Sequence, residues 1–339
     1  MELRNGTPFL LGQFVDLDTT GAEHMVVTLK ATYTIGDAGE LRIAEEQEPI
    51  RLVDEFHGKP DASSIRAEAE LGPIKPSTDV LLNGCAVARR ANTKTMDVML
   101  RAGPVRKVVR VWGERRWQRR LGMHGVGDPL PIEKVPLVWE SAFGGVDESS
   151  KNEKHRAQEP RNPVGRGFRA KHSKLEWLDT PLPQLEDPNE RIESPSQKVA
   201  PRCLAAICRH WIPRREYAGT YDDAWIQSRI PLLPEDFDAR FHHAASPDQV
   251  APRYFTGGES VEIVGCTTEG TLKFALPVLR PKLEARLRAR VENADMALET
   301  VGFDTEARTL RLVFKGKVRV HGELPDLRWI ECALEEEAR

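Results

Sequence analysis

The sequence lacks the features that would place it in a membrane, on a nucleic acid or outside the cell. No apolar run approaches the ~20 residues that a bilayer-spanning helix needs, so no membrane insertion is expected. The opening stretch, MELRNGTPFLLGQFV, has no basic start followed by a long apolar run, so no secretory leader is expected. Lys and Arg number 49 against 52 Asp and Glu, a net charge of −3, which gives no global pull toward nucleic acid or an anionic membrane. The five cysteines, Cys85, Cys203, Cys208, Cys266 and Cys332, are odd in number and scattered. That pattern suits buried thiols in a reducing cytoplasm better than a disulfide framework. Catalytic signatures are missing too. There is no G-x-x-x-x-G-K-[ST] phosphate loop, no G-x-S-x-G elbow and no H-E-x-x-H helix. The glycine-rich stretches GMHGVG (122–127) and NPVGRGF (162–168) read as turns. No cofactor is expected, and no fixed-period repeat is present.

What the sequence has is β patterning at both ends. Hydrophobic residues make up 40% and charged residues 30% of the 339 residues, a globular balance with material for a sizeable core. In HMVVTLKATYTI, Met25, Val27, Leu29, Ala31, Tyr33 and Ile35 alternate with Val26, Thr28, Lys30, Thr32 and Thr34. Period two predicts a strand with one buried face. A turn at 37–39 predicts a hairpin over 24–46, and further strands are predicted over 63–71, 78–89, 95–103 and 106–113. In the last third, strands are predicted over 259–266, 270–277 and 283–291, with a hairpin over 297–320. The tail LRWIECALEEEAR reads as a short helix with a solvated acidic end. The fold class expected is mainly β, with antiparallel sandwich or barrel-like modules at both ends, 1–113 and 259–339. Between them, 114–258 holds 15 of the 24 prolines, and Trp112, Trp117, Trp139, Trp177, Trp211 and Trp225 lie in or just before it. Disordered linkers are poor in aromatics, and each Trp can bury on the order of 200 Å². The segment is therefore read as ordered loops packed on the β scaffold, with its weakest point at 147–160, which carries no large aliphatic or aromatic residue.

Two stretches concentrate reactive or adhesive side chains. AGTYDDAWIQSRIPLLPEDFD (218–238) holds Asp222, Asp223, Glu235, Asp236 and Asp238 among Trp225, Phe237 and prolines. Asp236 and Asp238, followed by His242 and His243, are oxygen and imidazole candidates for a metal. Their spacing matches neither a calcium loop nor a zinc helix, and Asp beside proline also suits turns and helix caps. RAGPVRKVVRVWGERRWQRR (101–120) holds eight basic residues and Glu114, with Trp112 and Trp117 interleaved. Basic residues among aromatics can bind single-stranded nucleic acid, but the near-neutral chain favours a strand with an outward basic face, and no nucleic-acid partner is expected. The patch can dock an acidic protein, for which Arg115, Arg116 and Trp117 are the candidate anchors. Arg166 and Arg169 are candidates for holding a carboxylate.

Several motifs in order also resemble a known family: TPFLLG (7–12), GPIKPSTDVLLNGCA (72–86), GERRW (113–117), PLVWESAFGG (136–145), NPVGRGF (162–168), LPQLEDP (182–188), the 218–238 stretch and GGESVEI (257–263). The set is similar to a bacterial family of unknown function encoded beside the VgrG spike of type VI secretion systems. The resemblance implies a non-enzymatic adaptor or chaperone. Its expected partners are a secreted effector protein and the VgrG spike or its PAAR-type tip. It brings no catalytic residues, and it implies that Asp222 and Asp223 orient a recognition loop anchored by Trp225 and Phe237. Two alternatives stand beside it: a carbohydrate or cell-wall hydrolase using the acids of 222–238, and a structural component carried with the spike.

Overall fold

Period-two patterning becomes strands throughout the two ends of the chain. The computed structural model describes residues 1–60, 62–320 and 322–335. It opens with β1 (Glu2–Gly6), β2 (Leu10–Leu17) and β3 (Glu23–Ile35). β3 lies inside a six-stranded sheet ordered β2, β3, Thr309–Arg319, Ala297–Asp304, Asp79–Asn83, with Leu41–Ile43 paired to β3 beyond the end of β2. A five-stranded sheet runs Leu185–Glu186, Val105–Trp112, Thr95–Ala102, Ser260–Val264, Thr271–Ala275, and a four-stranded sheet runs β1, Trp329–Leu334, Pro281–Arg286, Val291–Asp295. The architecture is mainly β, with several sheets, few short helices and no closed barrel. One α-helix, α1 (Asp223–Ser228), is present among the described residues.

Each of these sheets draws strands from both ends of the sequence, so the two ends do not close as separate modules. The pairing is not purely antiparallel either. β1 runs parallel to Trp329–Leu334, and Asp79–Asn83 runs parallel to Ala297–Asp304. Parallel neighbours need a long crossover, and the intervening chain provides one. A single apolar core joins the sheets, with Val27, Leu29 and Phe303 from the first, Val98, Leu100 and Val109 from the second, and Leu283 and Ile330 from the third.

Three local expectations are corrected. The tail is a strand, not a helix: Ile330 and Cys332 are fully buried and alternate with Trp329, Glu331 and Ala333, and ladders to β1 and Pro281–Arg286 hold them. The acidic end, 336–339, lies outside the described residues. The strand predicted over 283–291 breaks at a turn closed by the Leu287 N–H donating to the Arg290 carbonyl, so Val291 begins a new strand. Segment 147–160 is closed rather than broken. The buried Asp147 accepts from Ser149 and from the Ala170 N–H, and these bonds overcome burial to hold its carboxyl at about 2.

Elsewhere the middle segment folds over the sheets on its indoles. Trp139 and Trp211 meet edge to face at 6.1 Å in the main core, and Trp139 Nε1 donates to the Ala206 carbonyl at 2.7 Å. Trp117 sits in a second cluster with Phe143, Phe168 and Leu182.

Candidate functional site

The acidic stretch is built on caps. Asp222 precedes α1 and accepts from the Trp225 N–H at 2.9 Å, satisfying a donor that a helix start leaves open. Trp225 turns its ring onto Tyr221, 4.7 Å away, and donates Nε1 to the Leu232 carbonyl. Asp236 accepts from the Thr220 N–H and hydroxyl at 2.9 and 2.7 Å, bonds that lower its pKa. Asp238 starts the Ala239–His242 turn and pairs with Arg240, which lowers its pKa in the same way. Arg229 donates to the Leu233 carbonyl at 3.0 Å and to the Thr19 carbonyl at 3.1 Å, and Leu232 packs against Gly21. The result is a lobe fastened to the β2–β3 turn, with Tyr221, Ile226 and Ile230 exposed by 51, 54 and 54%.

The carboxylates and imidazoles proposed as metal ligands are not brought together. Asp236 and Asp238 serve their own turns. His242 packs against Phe237 and Phe241, and burial pushes its pKa down to about 4. His243 faces away, its Nδ1 2.7 Å from Asp79. Among the described residues, no group of three or more His, Cys, Asp or Glu side chains is arranged to hold a metal.

The basic stretch divides between inside and outside. Arg115 is buried, donating to Glu186 at 2.7 Å and to the Pro183 carbonyl at 2.8 Å, with its guanidinium 4.3 Å from the Trp112 ring. Trp112 Nε1 donates to the other Glu186 oxygen at 2.8 Å. Burial pushes Arg115 down and Glu186 up from their ordinary ranges, against their mutual attraction. Trp117 is 4% exposed. Arg115 and Trp117 are therefore interior residues, and only Arg116 of the three faces solvent, paired with Glu114 at 2.9 Å. Arg166 is half-buried, donating Nε to the Glu140 carbonyl, and Arg169 donates to the carbonyls of Leu175 and Glu176. From Trp117 the chain enters a hairpin of Trp117–Arg120 and Met123–Val126. Its tip holds Leu121, 99% exposed at φ +48°, and Gly122 at φ +79°. Exposed bulky residues rarely take that left-handed conformation.

A third cluster escaped the sequence reading. Thr28, Lys30 and Thr32 belong to the polar face of β3, read as solvent-facing, yet all three are buried. Segment 44–76 crosses that face and supplies counter-charges. Glu70 lies 2.9 Å from Lys30 and 2.8 Å from Arg51, and Arg51 reaches Glu48 at 2.9 Å. Further along, Lys75 pairs with Asp79 at 2.8 Å, Glu68 with Arg214 at 2.6 Å, and Lys315 with Glu299 at 3.0 Å. Burial would raise Asp79, but the Lys75 ammonium and His243 hold it at about 2. A cavity of about 50 Å³ remains, lined by Arg51, Glu68, Glu70, Lys75, Glu299 and Arg311 among others. The seam is a clasp between strap and sheet. Its only advance sign is a lysine in an otherwise Thr-rich strand face.

Comparison with known proteins follows the same outline. A family model described as "Uncharacterized protein conserved in bacteria (DUF2169)" matches residues 20–315. The chain belongs to that family. The match runs from β3 through the 218–238 lobe into the strand Thr309–Arg319. No curated protein and no solved structure matches the chain.

Proposed function

We propose that this family member is a non-enzymatic adaptor or chaperone that binds another protein through preformed surface protrusions. Following the resemblance drawn from its motifs, we place it in the bacterial cytoplasm, loading a type VI secretion effector onto the VgrG spike or a PAAR-type tip. The observation that carries the reading is the 218–238 lobe, where three large apolar side chains stand more than half exposed on a loop held by caps, proline and an indole. A loop already fixed loses less entropy on binding, and aromatic and apolar residues in a rigid setting make good anchors. The acids of 222–238 support recognition rather than catalysis, because each is either satisfied within its own turn or exposed beside it.

Co-purifying the tagged chain with the product of an adjacent toxin gene tests this reading. The pair is expected to elute together, and deleting the adaptor gene is expected to lower the level and secretion of the toxin. Unchanged toxin stability and secretion would count against it.

A further inference from the structure

We propose that β2 is an open seat for an extended segment of the partner protein, which adds to the six-stranded sheet as a new edge strand and carries Lys or Arg beside its alternating apolar residues. The inference rests on the adaptor reading and says where and how the partner is held.

The direction of the backbone groups follows from β3. The Ile35 N–H donates to the Arg308 carbonyl on the side of Thr309–Arg319, while the Thr32 carbonyl accepts from the Ala44 N–H on the opposite side. In an antiparallel ladder a residue's N–H and C=O point the same way and alternate along the strand. Even-numbered β3 residues therefore bond toward β2, where Lys30, Thr28, Val26 and His24 stand opposite Leu10, Gly12, Phe14 and Asp16. Leu11, Gln13 and Val15 then turn their N–H and C=O groups away from the sheet. Among the described residues nothing pairs with that side, since β2 ends the sheet order.

Exposed edges of this kind are usually blunted by lysine, proline, a bulge or a covering loop. LLGQFVDL has neither lysine nor proline, and its register with β3 is continuous over eight residues. Val15 and Leu17 are 43 and 42% exposed along it. Strand addition to such an edge gives affinity through main-chain bonds and specificity through alternate side chains.

Charge selects the chemistry of the occupant. β2 runs into Asp16 and Asp18, and the lobe beside its end exposes Asp222, Asp223, Glu235 and Asp236. The one arginine within the lobe, Arg229, already donates to the Thr19 and Leu233 carbonyls. A basic, β-forming segment fits this edge, and an acidic one is repelled.

The test uses the full-length protein and short synthetic peptides of alternating Thr and Val flanked by Lys, with two controls: the same peptide flanked by Glu, and one interrupted by Pro. Binding is read by fluorescence anisotropy and the site by amide hydrogen exchange. The Lys-flanked peptide is expected to bind about tenfold or more tightly than either control. It is expected to slow exchange at Leu11, Gln13 and Val15 while leaving Gly12 and Phe14, already in the ladder, unchanged. V15P removes an outward donor and keeps the bonds to β3; V15K/L17K blunts the edge without touching the backbone. Each is expected to weaken binding about tenfold at an unchanged melting temperature. Binding without protection at those three amides, failure of every peptide to bind, or protection by self-association of the chain would each overturn the inference. Co-purification with the toxin would then still judge the adaptor reading on its own.

Discussion

The 44–76 strap and the 218–238 lobe are both rich in carboxylates, and they use them in opposite ways. On the strap, Glu48, Glu68 and Glu70 face cations from remote parts of the chain, Lys30 on β3 and Arg214 in the 214–217 turn, across a largely buried seam. In the lobe, Asp222, Asp236 and Asp238 bond within a few residues of themselves or across their own loop, at the surface. The acids of the strap therefore hold remote pieces of chain together, while those of the lobe shape a surface for something else. Density of acids in a sequence does not distinguish the two; the location of the partner does.

Removing one side of the clasp should have the largest effect. E70Q takes from Lys30 and Arg51 the carboxylate nearest to both and leaves Glu48 as their remaining shared counter-charge; breaking a buried pair costs about 3–5 kcal/mol, and a loss near the low end of that range is expected. Urea denaturation is expected to show that loss, and a change under 1 kcal/mol would make the seam ornamental.

His242 lies where the two regions meet, lining a cavity with Glu68, Lys75, Arg214 and Lys315. Folded, it stays neutral down to about pH 4, because burial disfavours its charge, whereas the unfolded chain takes up the proton near the ordinary histidine value of 6.5. The unfolded state thus binds more protons between those limits, and stability should fall as pH drops from about 6.5 to 4, by up to roughly 3 kcal/mol. H242Q should flatten that slope, as read by melting temperature against pH.

For D222A in the lobe and R116A in the basic stretch the stakes are smaller. D222A removes the cap of α1 and should cost about 1 kcal/mol, with faster amide exchange confined to 223–229 and weaker partner binding. R116A breaks an exposed pair with Glu114 and a surface hydrogen bond to the Asp179 carbonyl, and should change stability by less than about 1 kcal/mol. R115A, one residue earlier, should destabilise by about 3 kcal/mol or more, because it strands Glu186 in the interior.

These contrasts also mark how far the sequence could be read. Alternation located the long strands, because the two faces of a pleat meet different neighbours and so impose period two on side chains, even where both faces are buried as in β3. Sheet order left no such trace: nothing local in WIECAL says that it lies beside ELRNG, and the acidic run after it tilted the reading toward a helix. The cap at Asp222 was legible because it acts over three residues. Lys30 was read as solvent-facing because its counter-charge comes from Glu70, forty residues on. In GERRW the two arginines are chemically identical, and only the fold sends one to Glu186 and leaves its neighbour at the surface.

The pairing of β1 with Trp329–Leu334 bears on how the molecule is made. A ribosome delivers β1 hundreds of residues before Trp329–Leu334, so this pairing in the four-stranded sheet stays unmade until that later strand has been synthesised. Such distant contacts slow folding and expose unfinished edges to aggregation. A nascent chain halted before residue 329 is expected to stay protease-sensitive around β1 and to become resistant there only once Trp329–Leu334 emerges.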